Sequence, residues 1–315
     1  MILNRYPDYT KPGFNINAPC PVYRWPNMII HNKTKNAYYP LHTGPLTIKF
    51  TLKGEEYFAT KQRSFRVTPS TYLIFNSGQK YSARIQSNET VETISVFFRP
   101  QFAEEVLSSL ISSEDNILDN EITHPEQPVH FMEILYPHDT VLYPFIFKFR
   151  MASKLGYDDN NWLEEEFYML LKAFLGIHRQ VGKEIKRIPA AKKSTKIEIY
   201  KRIYRAKDWL DENFSSEVKI EYAAKEACMS PFHFIRLFKN IFNETPYQYI
   251  TRKRIDKAFD LILRTDMPIT EVCFEIGFNS LSSFSWLLKQ KYGMSPETMR
   301  TSYSMFQRKL AGIKK

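Results

Sequence analysis

Hydrophobic and polar residues alternate in the first third of the chain, with the two-residue period of strands that bury one face. The run Leu46–Leu52 places an apolar residue at every second position, and Ile94–Phe98 repeats this pattern. Turn residues such as Asn76–Gln79 separate the short apolar runs between them. From Pro45 to about Phe98 the pattern therefore predicts short strands that form a small β-barrel or sandwich.

After Pro100 the apolar residues are spaced by three and four positions, which is the period of amphipathic helices. Helices are predicted over 102–111 and 139–155, with a polar loop between them. The clearest stripe follows the second helix and includes Leu163, Phe167, Leu170, Phe174 and Ile177. This stripe predicts one long helix that ends near Val181.

A basic segment that contains proline, residues 183–195, separates this region from the rest of the chain and is typical of a linker. We predict an N-terminal domain over 1–182, with the barrel at about 20–100 and helices at about 100–182. Residues 196–315 are predicted to form an all-α domain. The fold class is α+β, and a length of 315 residues agrees with two domains.

The C-terminal region contains an internal repeat with an offset of about 50 residues. Ile220–Ser230 aligns with Ile269–Ser280, and Phe234–Pro246 aligns with Phe284–Pro296. Two copies are too few for a solenoid. They predict two similar helix pairs that are joined by one helix, roughly Pro246 to Arg264.

Each copy carries the sequence signals of a helix-turn-helix. Ser230 and Ser280 are placed to cap the second helix of each pair, and Asn243 and Gly293 suit its left-handed C-terminus. Apolar residues at helical spacing leave an outer rim on each second helix. The rim consists of Phe232, His233, Arg236 and Lys239 in the first copy, and of Ser282, Ser283, Trp286, Lys289 and Gln290 in the second. Such a rim is what a helix-turn-helix presents to the major groove.

These elements resemble the AraC/XylS family of bacterial transcription regulators over about residues 200–305. The second copy carries Ile276-Gly277-Phe278-Asn279, Phe284-Ser285, Lys289, Gly293, Ser295-Pro296 and Met299-Arg300 of the family signature. The first copy carries Ser230-Pro231, Arg236, Phe238-Lys239, Thr245-Pro246 and Tyr249. The sequence departs from the signature at Trp286, where the family has an arginine, and at Leu288, where it has a phenylalanine.

The resemblance implies a tandem helix-turn-helix domain that binds double-stranded DNA. Arg236 is expected to reach a base edge and Lys239 a phosphate, whereas Trp286 is expected to contact thymine methyl groups or sugars. The family resemblance further implies a transcriptional activator that contacts RNA polymerase and works as a homodimer.

The N-terminal domain more weakly resembles the cupin-like sensor domain of such regulators, over Arg66–Pro69 and Leu73–Tyr81. This implies a small-molecule effector, and the aromatic residues that either line its pocket or fill the barrel are Phe50, Tyr57, Tyr72, Phe75 and Tyr81. The His-x-His pair of metal-binding cupins is absent from the sequence, so neither a metal nor a cofactor is expected. The stripe over 163–177 is either an intradomain core or the dimer interface.

Charge and composition support the same division of the chain. Of a net charge of +10, residues 1–191 contribute +1 and residues 192–315 contribute +9, which favours a polyanionic partner for the C-terminal part. Three well-separated cysteines form no disulfide framework, and Cys228 and Cys273 are expected to pack on inward helix faces. No signal peptide and no apolar run of membrane-spanning length are present, so we expect a cytoplasmic protein without a membrane partner.

Two alternatives remain open. The chain could be a β-barrel enzyme with a basic accessory domain, but the sequence offers no metal triad and no nucleophile with a base, so an enzyme is not expected. His124, His130 and His138 have no metal-ligand spacing and are expected on the surface. The second alternative is a constitutive regulator whose first 190 residues or so serve only association.

Overall fold

A computed structural model describes residues 1–4, 26–115, 129–138, 140–157 and 159–313. Cys20 and His124 lie outside the described residues. The chain divides into two compact units, residues 1–183 and residues 184–315. None of the described helices contains an apolar segment long enough to cross a bilayer.

The first unit is built on one mixed sheet. Its described strands are β1 (Ile2–Leu3), β2 (Met28–Thr43), β3 (Thr47–Lys53), β4 (Glu56–Ala59), β5 (Ser64–Val67), β6 (Thr71–Phe75), β7 (Lys80–Phe97) and β8 (Leu135–Pro137). They follow the order β1-β2-β7-β3-β6-β8, and β4 pairs with both β5 and β7.

In the described residues the sheet does not close, so the predicted small β-barrel is wrong. The two long strands β2 and β7 pair with each other along most of their length, with register shifts after Thr34 and Tyr39. One half of β7 also pairs with β3, and the other half pairs with β4. The described sheet ends at β1 on one side and at β8 on the other, because no ladder joins these two strands. Strand β8 falls in a segment that the sequence predicts as loop.

Both faces of β3 and β6 are buried, which sequence alternation alone does not reveal. On one face, which we call the interior face, Leu73, Phe75 and Tyr81 pack with the β4–β5 hairpin. On the other, the helix face, Phe50 and Tyr72 have ring centroids 5.3 Å apart and lie beneath helices. Polar residues of the alternating pattern are therefore enclosed as well.

Three helices are described in the first unit, namely α1 (Phe102–Asp115), α2 (Tyr143–Leu155) and α3 (Asn160–Lys186). The predicted stripe of α3 packs on the helix face of the sheet: Phe167 meets Phe98 at 6.2 Å, and Phe174 meets Tyr72 at 6.1 Å between ring centroids. The predicted dimer interface of Leu163, Phe167, Leu170, Phe174 and Ile177 is therefore corrected to an intradomain core, with the first four buried and Ile177 half-buried. The reason is that the sheet presents a second apolar face that this helix covers.

A buried polar network fixes α2 against the sheet. Arg150 donates from Nε and Nη2 to Glu92 of β7, at 2.9 and 2.6 Å. His31 of β2 bridges Glu92 and Ser153, with Nε2 at 2.8 Å from Glu92 and Nδ1 at 2.7 Å from the hydroxyl of Ser153. The Ser153 hydroxyl in turn donates to Asn4 at 2.6 Å. This network sets which side of α2 points inward.

The second unit is helical. Its described helices are α4 (Lys193–Asn213), α5 (Ile220–Glu226), α6 (Pro231–Phe242), α7 (Pro246–Arg264), α8 (Ile269–Glu275), α9 (Leu281–Tyr292) and α10 (Pro296–Ile313). The bounds of α7 confirm the predicted connecting helix. The segment between α3 and α4 is residues 187–192, shorter than the predicted linker of 183–195, because both flanking helices extend into it.

Candidate nucleic-acid interface

The first helix pair consists of α5 and α6, which are in contact. The buried side chains of α5 include Ala223 and Ala224, and Ala227 follows at its end; each is no more than 1% exposed. The buried face of α6 is filled by Phe234 and Phe238, with ring centroids 5.5 Å apart. The apolar half of α6 is thereby fixed inward, and its opposite rim faces solvent.

The ends of α6 are set by the residues that the sequence singles out. The Ser230 side chain accepts a hydrogen bond from the backbone N–H of His233 at 3.4 Å, and Pro231 occupies the first turn. Asn243 ends the helix in the left-handed conformation at φ 59°, and its backbone N–H donates to the backbone carbonyl oxygen of Lys239. These local bonds confirm the predicted caps.

The second pair, α8 and α9, repeats this construction. Val272 and Cys273 of α8 pack on Phe284 and Leu288 of α9, and all four side chains are buried. Leu288 therefore fills the core position as predicted. Ser280 accepts from the backbone N–H of Ser283 at 3.3 Å.

The turns between the helices of each pair both require a positive φ. Cys228 adopts φ 53° in the first turn, and Gly277 adopts φ 84° in the second. Cys228 is exposed, so its predicted inward packing is wrong, because it belongs to the turn and not to the buried face of α5. Cys273 is buried as predicted.

The turn of the second pair is held against the loop between α4 and α5. Arg254 of α7 donates to the carbonyl oxygens of Phe214 at 2.6 Å and Ser216 at 2.7 Å. A Cβ added at Gly277 would lie 2.6 Å from the Ser215 carbonyl oxygen, so only glycine allows this approach. One arginine and one glycine thus tie the second pair to the loop that leads into the first.

A carboxylate on α4 fixes the start of α7. Asp211 accepts from Tyr249 at 2.6 Å and forms ion pairs with Lys207 at 2.8 Å and Lys253 at 2.9 Å. Burial favours its neutral form, but the two lysines outweigh burial and hold the pKa of Asp211 below its ordinary value. The connecting helix α7 is thereby anchored to α4.

All predicted rim residues lie on the solvent side of α6 and α9. Phe232 is 77% exposed and Trp286 is 62% exposed. The remaining exposed members are Arg236, Lys239, Ser282, Ser283, Lys289 and Gln290, whereas His233 is half-buried. The structure thus places each set on one helix face, and DNA contact by these side chains stays a prediction.

The rims differ from the rest of the second unit in their electrostatics. Neither α6 nor α9 contains an aspartate or glutamate. In the described part of the chain, Arg236, Lys239 and Lys289 form no ion pair, whereas Arg252 pairs with Glu244 and Lys291 with Asp256. The rim cations are therefore available to an external anion.

The predicted pocket residues of the first unit do not come together. Phe75 and Tyr81 stack at 3.9 Å on the interior face, whereas Phe50 and Tyr72 lie on the helix face. Tyr57 is 44% exposed, and its hydroxyl donates to Glu55 at 2.7 Å. The five-residue pocket is therefore wrong, because positions separated by an odd number of residues on a strand, such as Tyr72 and Phe75 of β6, point to opposite faces.

The interior face instead encloses two charged residues that the hydrophobic pattern of the sequence does not reveal. Lys49 and Glu56 are both buried, and the Lys49 ammonium lies 5.5 Å from the Tyr81 ring centroid. Burial lowers the pKa of Lys49 and raises the pKa of Glu56, and each charge partly offsets the effect on the other. Glu56 Oε2 is buried without a hydrogen-bond partner. Lys49 gave no signal in the sequence because it occupies a polar position of an alternating strand.

Histidine and acidic residues do not gather into a metal centre in the described part of the chain. His138 is half-buried beside Phe50, with ring centroids 5.7 Å apart, so it is less accessible than predicted. His130 is exposed.

Comparison with known proteins identifies the second unit. A family model described as a helix-turn-helix domain matches residues 223–302, which run from α5 into α10. The HTH-type transcriptional activator RhaS of Salmonella schwarzengrund is 33% identical over 92 residues, 29% of this chain and 33% of that protein. The second unit contains an AraC-type helix-turn-helix domain.

Other known proteins are similar to parts of the chain or to most of it. The probable transcriptional regulator LumQ of Photobacterium leiognathi is 34% identical over 101 residues, 32% of this chain and 39% of that protein. The chain thus spans less than two fifths of the length of these curated relatives. The crystal structure of unsaturated fatty acid bound ToxT from Vibrio cholerae covers 88% of this chain and 95% of that chain, at 14% identity and a TM-score of 0.33. A similarity that low supports no inference about function.

Proposed function

We propose that the chain is a sequence-specific transcription regulator that binds double-stranded DNA through the outer rims of α6 and α9. The observation that carries this proposal is the pair of similarly capped, acid-free helices whose rim cations form no ion pair in the described residues. Phosphates attract such cations, and a helix presented edge-on fits the major groove.

The two rims have different chemistry. On α6, Arg236 would bind the edge of a guanine through O6 and N7, and Lys239 would bind a phosphate. On α9, Trp286 would contact thymine methyl groups or sugars, with Lys289 on a phosphate. The first half-site would therefore be read by hydrogen bonds and the second by apolar contact.

Both helices would enter successive major grooves on one face of the duplex, about 34 Å apart. The anchoring of α7 by Asp211 and the contact of Gly277 with Ser215 support this, because they fix the separation of the two pairs. A footprint close to two helical turns for each copy of the chain is expected.

The first unit would sense a small molecule and mediate association of two copies, so that the regulator acts as a dimeric activator at RNA polymerase. No catalytic activity is part of this proposal. The buried pair of Lys49 and Glu56 supports a ligand role, since buried charges cost stability and are concentrated at functional sites. A metabolite that binds the native chain would raise its melting temperature, and this rise would be smaller for Lys49→Met.

The decisive experiment is selection of binding sites from random DNA with the purified chain, followed by binding measurements on Arg236→Ala. Loss of a bidentate contact is worth about 1–3 kcal/mol, so affinity for the selected site should fall about 5- to 150-fold. Affinity for random DNA should fall much less. The matched control is Arg264→Ala, since Arg264 is exposed at the end of α7 and outside both rims.

The proposal fails if no sequence is enriched in the selection. Arg236 has no role in base recognition if Arg236→Ala weakens selected and random DNA equally.

A further inference from the structure

An apolar stripe runs along the solvent side of α2. It consists of Tyr143, Phe147, Met151, Leu155 and the following Tyr157, which are 57%, 53%, 37%, 75% and 47% exposed. The first four residues are spaced by four positions, so they lie on one side of the helix. We call this surface the α2 stripe.

Contacts on the opposite side of α2 fix the direction in which the α2 stripe points. Ile146, Phe149 and Ala152 are buried on the opposite side of α2, where Phe149 packs on Phe167 of α3. Ser153 and Arg150 form hydrogen bonds with His31 and Glu92 of the sheet. Rotation of α2 would bury the stripe only by breaking this polar network. The stripe is therefore a stable surface feature of the folded unit.

The α2 stripe is complementary to itself. When two copies of α2 pack antiparallel about a two-fold axis near Phe149, Phe147 of each copy lies beside the partner's Met151. In the same arrangement Tyr143 lies beside the partner's Leu155. At each contact an aromatic ring of one copy then packs on a flexible methionine or leucine side chain of the other copy. Contacts between sulfur and aromatic rings are favourable. A row at i, i+4, i+8 and i+12 is also the ridge that packs into the groove of a second helix.

The size and charge of the surface fit a second copy. Aromatic side chains carry 150–250 Å² each, so the half-exposed stripe offers roughly 500 Å² per copy, against about 800 Å² per partner in a standard interface. Two of its three flanking cations are neutralised within each chain, because Lys148 pairs with Glu166 and Arg150 pairs with Glu92, and the third is Lys154 in the last turn. Repulsion between two copies is thereby reduced.

We infer that the α2 stripe is the surface through which two copies of this chain associate, with their α2 helices antiparallel. The inference deepens the part of the proposed function that assigns association to the first unit. It does not depend on DNA binding, because the association is measured without DNA.

The test is sedimentation velocity of the full chain from about 1 to about 100 μM. The fraction of dimer rises with protein concentration, so the average sedimentation coefficient should increase over this range. Phe147→Glu should weaken association at least about tenfold, because the interface would bury an unpaired charge. Met169→Glu is the matched control, since Met169 is 44% exposed on α3 and outside the stripe. This control should leave the dimer unchanged.

A double variant tests the antiparallel arrangement. Phe147→Glu combined with Met151→Lys places opposite charges beside each other across the two-fold axis, so it should restore a large part of the lost association. A double variant as weak as the single one overturns the antiparallel arrangement. A wild-type chain that stays monomeric at about 100 μM, or a Phe147→Glu chain that behaves like Met169→Glu, overturns the whole inference.

Discussion

Trp286 is the residue at which the two recognition rims differ most. It is 62% exposed at the centre of α9, where the family signature has an arginine. Trp286→Arg should introduce a preference for guanine at one position of the second half-site, because arginine binds O6 and N7 in bidentate fashion. The expected discrimination is about 1–3 kcal/mol. Site selection with the variant measures it directly.

A control for added charge is Tyr38→Arg, since Tyr38 is 55% exposed on β2 in the first unit. It should leave the selected sequence unchanged. If Trp286→Arg selects the same sequence as the wild type, the second rim contributes little to specificity.

Glu92 makes the stability of the first unit dependent on pH. Burial favours its neutral form, but hydrogen bonds from Arg150 and His31 outweigh burial and lower the pKa of Glu92 to about 2. A carboxyl whose folded pKa lies below its unfolded value of 4.5 stabilises the fold above that value and loses this contribution as the pH falls toward 2. The full contribution is on the order of 3 kcal/mol.

Glu92→Gln should therefore lower the free energy of unfolding strongly at pH 6 and progressively less as the pH is reduced toward 3. Urea unfolding at several pH values gives this difference. Glu89→Gln on the same strand is the control, because its side chain is 78% exposed and its loss should matter little at any pH. A difference between wild type and Glu92→Gln that stays constant with pH contradicts the assignment.

At the scale of elements, the turn between α8 and α9 is the most constrained connection in the second unit. Gly277 combines φ 84° with a backbone carbonyl 2.6 Å from the position of a Cβ. Gly277→Ala should destabilise the second pair by about 2 kcal/mol or more, because the left-handed conformation alone costs an L-residue about 1–2 kcal/mol. Hydrogen exchange of the α8 and α9 amides in the full chain reports this loss.

Gly293→Ala provides the matched control. Gly293 has a similar φ of 77° at the end of α9, but no atom lies within 4 Å of an added Cβ. It should show only the conformational cost of about 1–2 kcal/mol. Equal effects of the two substitutions would mean that the contact with Ser215 does not constrain the turn.

Elements were predictable where their signals are local. The caps at Ser230 and Ser280 and the bounds of α7 follow from residues within a few positions of each helix end. Strand β8 was not predictable, because its three residues pair with β6, which lies about 60 residues earlier in the chain. The burial of Lys49 was not predictable for a related reason. Alternation with a period of two separates the residues of a strand into two faces, but it does not show whether other parts of the chain cover both faces.

At the scale of the whole molecule, the charge follows the division into units. Residues 1–183 hold 19 basic and 19 acidic side chains, and residues 184–315 hold 25 and 15. DNA binding should therefore weaken steeply with salt. Lys239→Gln and Lys289→Gln should each reduce the slope of the logarithm of the DNA-binding constant against the logarithm of the salt concentration by about 1. The reason is that each substitution would remove one phosphate contact.

Lys53→Gln is the control for this measurement, since Lys53 lies on β3 of the first unit with its side chain 61% exposed. It should leave the slope unchanged. Slopes that are identical for all three variants would contradict phosphate contact by the rim lysines.

The sequence by itself determined the two helix pairs, their caps and the residues of their outer rims. These features depend on helical periodicity and on bonds between residues close in the chain, so the local pattern is sufficient. Only the tertiary structure decided that the α3 stripe is a core and that α2 carries the exposed stripe. It also decided that Lys49 and Glu56 share one enclosed face. An apolar stripe on a helix looks the same whether a sheet of its own chain or a second copy covers it, and the answer depends on strands far away in the sequence.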